Sequence, residues 1–256
     1  MKIWLTTVIS ILFSFLTFFS RAECPSRNLV VGDSLETLKL VAYYNLGAIW
    51  IKGGEAIFTA KREGSYYHYT AKAYTYPKWR KIYDMNTSLE AYMSVSDLKP
   101  VSYASNTKEE GHTKSEKYTF FKDGTFKYQV WKDGAEPETY TGVRPDCAYD
   151  MLNQVYASRD IDLDSVPFGQ DMSFLTYFDQ NVSELHGHVV CRENITTRSG
   201  HKYSCLKCMT KSIPGSIFDP TSPVYVWVTD DNRHIPVYVQ CKIKLGSIKV
   251  YYEPDL

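Results

Sequence analysis

An all-β fold with one main helix is what this sequence predicts, and three observations carry the prediction. Apolar and polar residues alternate at period two through most of the chain, turns rich in Gly and Asp punctuate that alternation, and residues 148–159 form the one convincing repeat at helical spacing. A sheet of about a dozen strands curls rather than staying flat. The expected architecture is therefore a large curled antiparallel sheet, a barrel or half-barrel, with the helix on its concave side.

The chain begins with Lys2 and an apolar run from Ile3 to Phe19 that ends at Ser20-Arg21-Ala22. This is the pattern of a secretory signal peptide, residues 1–22, cleaved after Ala22. A retained anchor is disfavoured because the small residues before the cut suit cleavage. Lipid attachment at Cys24 is disfavoured because Glu23, rather than Gly or Ala, precedes it. The expectation is an exported protein of the periplasm or cell envelope, with no stable transmembrane anchor after cleavage and a single domain over 23–256.

Removing Lys2 and Arg21 from 29 basic residues leaves 27 against 29 acidic ones, so the mature chain is close to neutral. Its Lys and Arg are scattered singly, which argues against a nucleic-acid partner. The 21 tyrosines suit strands and half-buried sheet surfaces.

In chain order, the first strand begins at Ser34 and continues with aromatic density through Ile51, and Gly53-Gly54 is expected to turn it. Glu55 to Arg62 follows, Gly64-Ser65 turns again, and Tyr66 to Tyr76 ends at Pro77, which lacks the N–H a ladder needs. Residues 79–92 read equally as helix or strand. Asp123-Gly124, between Thr119-Phe-Phe and Phe126-Lys-Tyr, predicts a hairpin with positive φ at both centres, and Asp133-Gly134 repeats the device. Asp146 is the expected cap of a helix that lays Ala148, Met151, Leu152, Val155 and Tyr156 on the sheet. Residues 225–252 read as three strands separated by Asp230-Asp231-Asn232-Arg233 and Gly246-Ser247.

Six cysteines are present, and the sequence does not choose their connectivity. Cys205-Leu-Lys-Cys208 has the spacing of a redox or zinc motif, but it lies in a strand pattern and not at a helix N-terminus, so no metal site is predicted. The preferred reading is structural, with Cys191 and Cys205 a candidate disulfide across the hairpin that turns at 197–200.

Val41-Ala-Tyr-Tyr-Asn-Leu-Gly-Ala-Ile-Trp50, the stretch 148–160 and above all Trp227-Val-Thr-Asp-Asp-Asn-Arg-His-Ile-Pro236 with Gly246-Ser247 resemble an exported Gram-negative family, domain of unknown function 3108. That resemblance implies a curled antiparallel sheet similar to YmcC-like and lipoprotein-carrier half-barrels. It implies neither an activity nor a cofactor.

Three functions are weighed. The first is non-catalytic binding or carriage of a lipid or glycan in the concave cavity, with Tyr44, Trp50, Trp79, Tyr83 and Tyr149 as candidate lining residues because large amphipathic rings line clefts and stack on sugars. The second is a scaffold or assembly subunit whose sheet face or edge meets an envelope protein. The third, a hydrolase using Asp230, Asp231 and His234, competes with the simpler reading that Asp230, Asp231 and Arg233 form a turn held by an Asp–Arg pair. An enclosed dry cavity favours the first, and a filled interior with a flat exposed patch favours the second.

Overall fold

The computed structural model describes residues 34–210 and 222–254. The signal peptide, its cleavage site and Cys24 lie outside the described residues. Fifteen strands form one sheet: β1 Glu36–Leu46, β2 Ile49–Glu63, β3 Tyr66–Thr75, β4 Met85–Ser94, β5 Pro100–Glu109, β6 His112–Phe120, β7 Thr125–Lys132, β8 Glu138–Val143, β9 Ala148–Tyr149, β10 Met172–Phe178, β11 Asn181–Thr196, β12 Lys202–Thr210, β13 Val224–Thr229, β14 Pro236–Lys242 and β15 Ser247–Tyr252. Helix α1, Met151–Arg159, lies between β9 and β10.

The spatial order runs from β8 back through β7 to β1, then from β15 back through β14 to β9. Every pairing is antiparallel except the short one between β9 and β10. The sheet curls without closing its ladder. Its two ends meet through side chains instead: the Tyr177 ring of β10 lies 5.1 Å from Phe126 of β7, and Lys114 of β6 reaches Asp179 at 2.6 Å. The predicted fold class stands as a half-barrel with the helix inside.

Alternation is what lets one sheet have two faces. Leu38, Leu40, Phe58, Tyr69, Leu89, Met93, Tyr118 and Tyr128 point into the curl with α1, while Val41, Tyr43, Trp227, Val237, Tyr238 and Tyr251 form a second cluster on the convex side. Residues 79–92 resolve into a 3-10 turn at Pro77–Trp79 and strand β4, whose burial pattern alternates strictly.

Several local expectations are corrected. The first turn falls at Gly47, with φ of 56°, and not at Gly53-Gly54. Gly53 is the extra residue of a bulge, since Ala42 pairs with Gly54 and Tyr43 with Lys52. At Gly54 a Cβ would stand 2.3 Å from the Tyr74 carbonyl oxygen, so this glycine permits close approach of two strands.

At 121–124 only Gly124 has positive φ, and Asp123 instead accepts from Thr125 N at 2.9 Å, giving a longer loop than the two-residue turn. The pair of positive φ values belongs to Asp133 and Gly134.

Asp146 does not cap the helix. Cys147 takes φ of 61°, Ala148 and Tyr149 pair with β10, and Asp150 caps by accepting from Asn153 N at 3.0 Å. Nor does α1 have a wet face. Every residue from Leu152 to Arg159 is buried, because the curl wraps the helix where a flat sheet would cover one side.

Candidate functional site

The concave face was the expected site, and among the described residues the space around the helix is packed with side chains. Tyr156 of α1 stacks on Tyr69 of β3 at 4.0 Å, and Tyr177 fills the space beside Tyr118 and Phe120. The gap beneath Val155, Tyr156 and Arg159, floored by Leu38, Leu40 and Phe58, has a volume of about 10 Å³, room for about one water molecule.

The five candidate lining aromatics do not converge. Tyr44 donates to the Leu245 carbonyl at 3.1 Å at one end of β1. Trp50 lies on the convex face, where Tyr43 meets it edge-on at 6.4 Å. Trp79 donates from Nε1 to the Lys52 carbonyl at 2.9 Å, and Tyr83 donates to the Glu109 carboxylate. Tyr149, 3 % exposed, is core. Period-two patterning says that a ring lies on one face or the other but not which rings share a pocket.

The interior does contain polar groups that sequence reasoning did not single out. Burial pushes the Glu109 carboxyl up to about 7 against the hydrogen bond from Tyr83. Burial likewise pushes Asp150 up to about 7, although Asn153 donates from its backbone N at 3.0 Å and from Nδ2 at 2.5 Å. Arg159, 2 % exposed, is held bidentate by Glu36 at 2.6 and 2.8 Å and donates from Nε to the Arg233 carbonyl at 2.9 Å. Charged residues in a helix read from sequence as a solvated face, so nothing short of the curl marks Asp150 and Arg159 as buried.

In the 230–234 turn each group already has a partner. Asp231 accepts from Thr229 Oγ1 at 2.7 Å and from Arg233 N at 3.0 Å, and the Arg233 guanidinium joins it at 3.1 Å. Burial works against the Asp231 charge, but these donors outweigh it and hold the carboxyl below its ordinary value. Asp230 points elsewhere, to Arg192 at 3.1 Å. His234, buried with φ of 42°, bonds through Nδ1 to the Arg159 carbonyl at 2.8 Å and ties the turn to the end of α1. The grouping is that of a brace that holds the turn and fastens it to the end of α1.

The proposed Cys191–Cys205 bridge is also corrected. A bulge between Val189 and Cys191 shifts the register, so Cys191 faces Lys207 and Cys205 faces Glu193. Cys191, Cys205, Cys208 and Cys241 are free thiols. Burial pushes the Cys205 thiol up to about 12 and raises Cys208 and Cys241 as well, which makes them inert packing groups. Cys147 is disulfide-bonded. Alkylation of the denatured, unreduced protein is therefore expected to label Cys191, Cys205, Cys208 and Cys241 and to spare Cys147. A linked Cys191–Cys205 peptide in the mass spectrum would contradict this.

On the convex face, rings run across neighbouring strands: Trp50, Tyr43, Tyr251, Tyr238 and Trp227, with Tyr251 stacked on Tyr238 at 4.5 Å and Tyr238 beside Trp227 at 4.6 Å. Cations cover them. Arg198 and Lys249 lie 4.7 and 4.5 Å from the Trp50 ring, and Lys207 lies 5.0 Å from Trp227. Beside this strip Glu55 is buried, yet Tyr74, Tyr76 and Lys39 outweigh that burial and keep its carboxyl below the ordinary range.

An open, curled antiparallel sheet wrapped on a buried helix, with no vacant pocket of ligand size at that helix, defines a β half-barrel domain. The chain belongs to the family described as protein of unknown function (DUF3108), whose model matches residues 40–253. Among solved structures it is similar to a β-barrel-like protein of domain of unknown function DUF1849 from Brucella abortus, at 7 % identity and a TM-score of 0.53, covering 87 % of this chain and 97 % of that one. A second similar structure is described as "a putative lipoprotein", from Parabacteroides distasonis, with 12 % identity, a TM-score of 0.30 and coverage of 90 % and 98 %. No curated protein matches.

Proposed function

We propose that this is an exported, non-catalytic protein of the cell envelope that acts through its outer surface as a scaffold or assembly subunit. The observation that carries this reading is the packing around α1: among the described residues, side chains of the helix and the sheet leave about 10 Å³ beneath it, far below the roughly 300 Å³ at which ligand pockets begin. A lipid or glycan carrier needs a hollow in the place these rings occupy. Two features support export, the apolar run before Ala22 and the disulfide at Cys147, because such bonds persist in oxidising compartments. The half-buried rings of Trp50, Tyr203 and Tyr225 give the convex face amphipathic surface suited to contact with another protein.

The test is to incubate the purified mature protein with envelope lipid and glycan extract, re-isolate it and weigh what stays bound by native mass spectrometry. The expected spectrum is that of the bare chain. Retention of one lipid or glycan per chain would overturn the reading and restore the carrier.

A further inference from the structure

Three connections meet at one end of the half-barrel: the β1–β2 tip, the loop from β3 to β4 and the β14–β15 turn. β1 pairs β15 with Asn45 opposite Ser247, and the Tyr44 hydroxyl donates to the Leu245 carbonyl at 3.1 Å, so the first and third of these adjoin. The β3–β4 loop joins them from the other side, since Tyr76 N donates to the Gly53 carbonyl and Trp79 Nε1 to the Lys52 carbonyl, each at 2.9 Å. From β14 to β4 the row crosses six neighbouring strands, about 24 Å at the usual spacing.

Two observations set this end apart. The first is apolar exposure. Four of the nine large hydrophobic side chains exposed among the described residues stand here, spread over the three tips: Leu46, Ile49 at 56 %, Ile82 at 74 % and Leu245 at 65 %. The second is charge. Residues 45–52, 76–82 and 242–249 contain seven cations and no acid, in a chain whose basic and acidic residues balance at 29 each. Lys52, Lys78 and Lys249 lie over the rings of Tyr76, Trp79 and Trp50 at 5.5, 5.1 and 4.5 Å, while Lys81, Lys242 and Lys244 are exposed. Among the described residues Arg80 is the one of the seven with an acid in reach, Asp84 at 3.6 Å. Glu109 and Glu110, beside the loop, are taken by the Tyr83 hydroxyl and by Asp84 N.

We propose that this end of the half-barrel docks on a lipid bilayer surface that carries anionic headgroups. Single aliphatic side chains on separate turns suit a soft surface: each tip enters the headgroup boundary while the lysine stems run beside it and keep their ammonium groups among the phosphates. Trp50 follows Ile49, and Trp79 precedes Ile82 by three residues, which sets amphipathic rings at the level that membrane interfaces favour. The core of a protein–protein interface is the opposite case, contiguous and depleted in lysine. The proposal extends the outer-surface reading above and takes only export from it.

Co-sedimentation of the mature protein with vesicles tests it, using phosphatidylcholine alone and phosphatidylcholine with phosphatidylglycerol at about two to one, in about 0.1 M salt. The expected result is binding to the mixed vesicles, little to the neutral ones, and release in about 1 M salt, which screens charges beyond about 3 Å. Lys78→Glu with Lys81→Glu is expected to weaken binding at least ~10-fold, and Lys242→Glu with Lys244→Glu to do the same. Ile82→Asp with Leu245→Asp is expected to weaken it as well. Lys117→Glu with Lys122→Glu makes the same change in net charge away from this end and is expected to leave binding within ~2-fold. Every one of these side chains is exposed, so the variants fold as the wild type does. No binding to mixed vesicles, equal binding to neutral ones, indifference to the aspartate variant or an equal loss in the control pair would overturn the proposal. Binding of poly-glutamate without binding of mixed vesicles would overturn it in favour of an acidic protein partner. Sedimentation reads a surface, and retention of a single lipid after re-isolation reads a cavity, so this proposal and the one above fail separately.

Discussion

Asp150→Asn is expected to flatten the pH dependence of stability between about pH 4 and pH 7 and to leave the protein more stable than wild type at pH 8. Asp150 caps α1 inside the curl, where burial pushes its carboxyl from an ordinary 3.8 to about 7. A carboxyl raised on folding binds its proton more tightly in the native state than in the unfolded one. Its contribution is therefore fully present below the unfolded value and is lost as pH rises through the folded value. A shift of this size corresponds to on the order of 4 kcal/mol across that window. Asn accepts the Asn153 N–H equally well as a cap but carries no charge to bury. Urea unfolding of both proteins at several pH values measures the difference. Wild type should lose stability from pH 4.5 to 7.5, and the variant should retain most of it, with a residual slope from Glu109, whose carboxyl burial also pushes up to about 7. Parallel curves would mean that Asp150 is not pressed by burial.

Glu36→Ala is expected to destabilise the protein by about 3 kcal/mol, the lower part of the range for breaking a buried ion pair. The reason lies with its partner. Arg159 is 2 % exposed, while Glu36 is 22 % exposed and takes both guanidinium bonds. Removing the acid leaves a buried cation beside the Arg233 carbonyl and the Tyr156 ring 5.4 Å away, with its carboxylate gone. Replacing both partners, Glu36→Leu with Arg159→Met, is expected to recover most of the loss, since an apolar pair requires no compensation in a dry site. Urea midpoints of the single and double variants report this directly. A single variant within 0.5 kcal/mol of wild type, a loss typical of surface sites, would show that water reaches Arg159.

The residues that made these two positions decisive were invisible as such in the sequence. Asp150 sits four residues after Asp146, and either could cap a helix by type alone; the positive φ at Cys147 and the pairing of Ala148 and Tyr149 with β10 selected the later one. Gly53 and Gly54 looked like a turn because glycine permits one, yet the chain had already turned at Gly47 and used the pair for a bulge and a close strand contact. Cys191 and Cys205 would face each other in a regular hairpin, and one bulge moved them apart.

Determined by sequence alone were the alternation, and hence the all-β class, the strand-rich ends and the lone helix, because these follow from local periods of two and 3.6 residues. A turn at 230–233 was legible for the same reason, being made by bonds within a few residues, but which aspartate meets Arg233 was not. What only the tertiary structure decided was the fate of the concave side. Whether Tyr69, Tyr156 and Tyr177 line a hollow or fill it depends on how tightly the sheet curls, and curl is set by contacts between strands distant in sequence. At that range a ring that binds and a ring that packs have the same pattern, and only volume tells them apart.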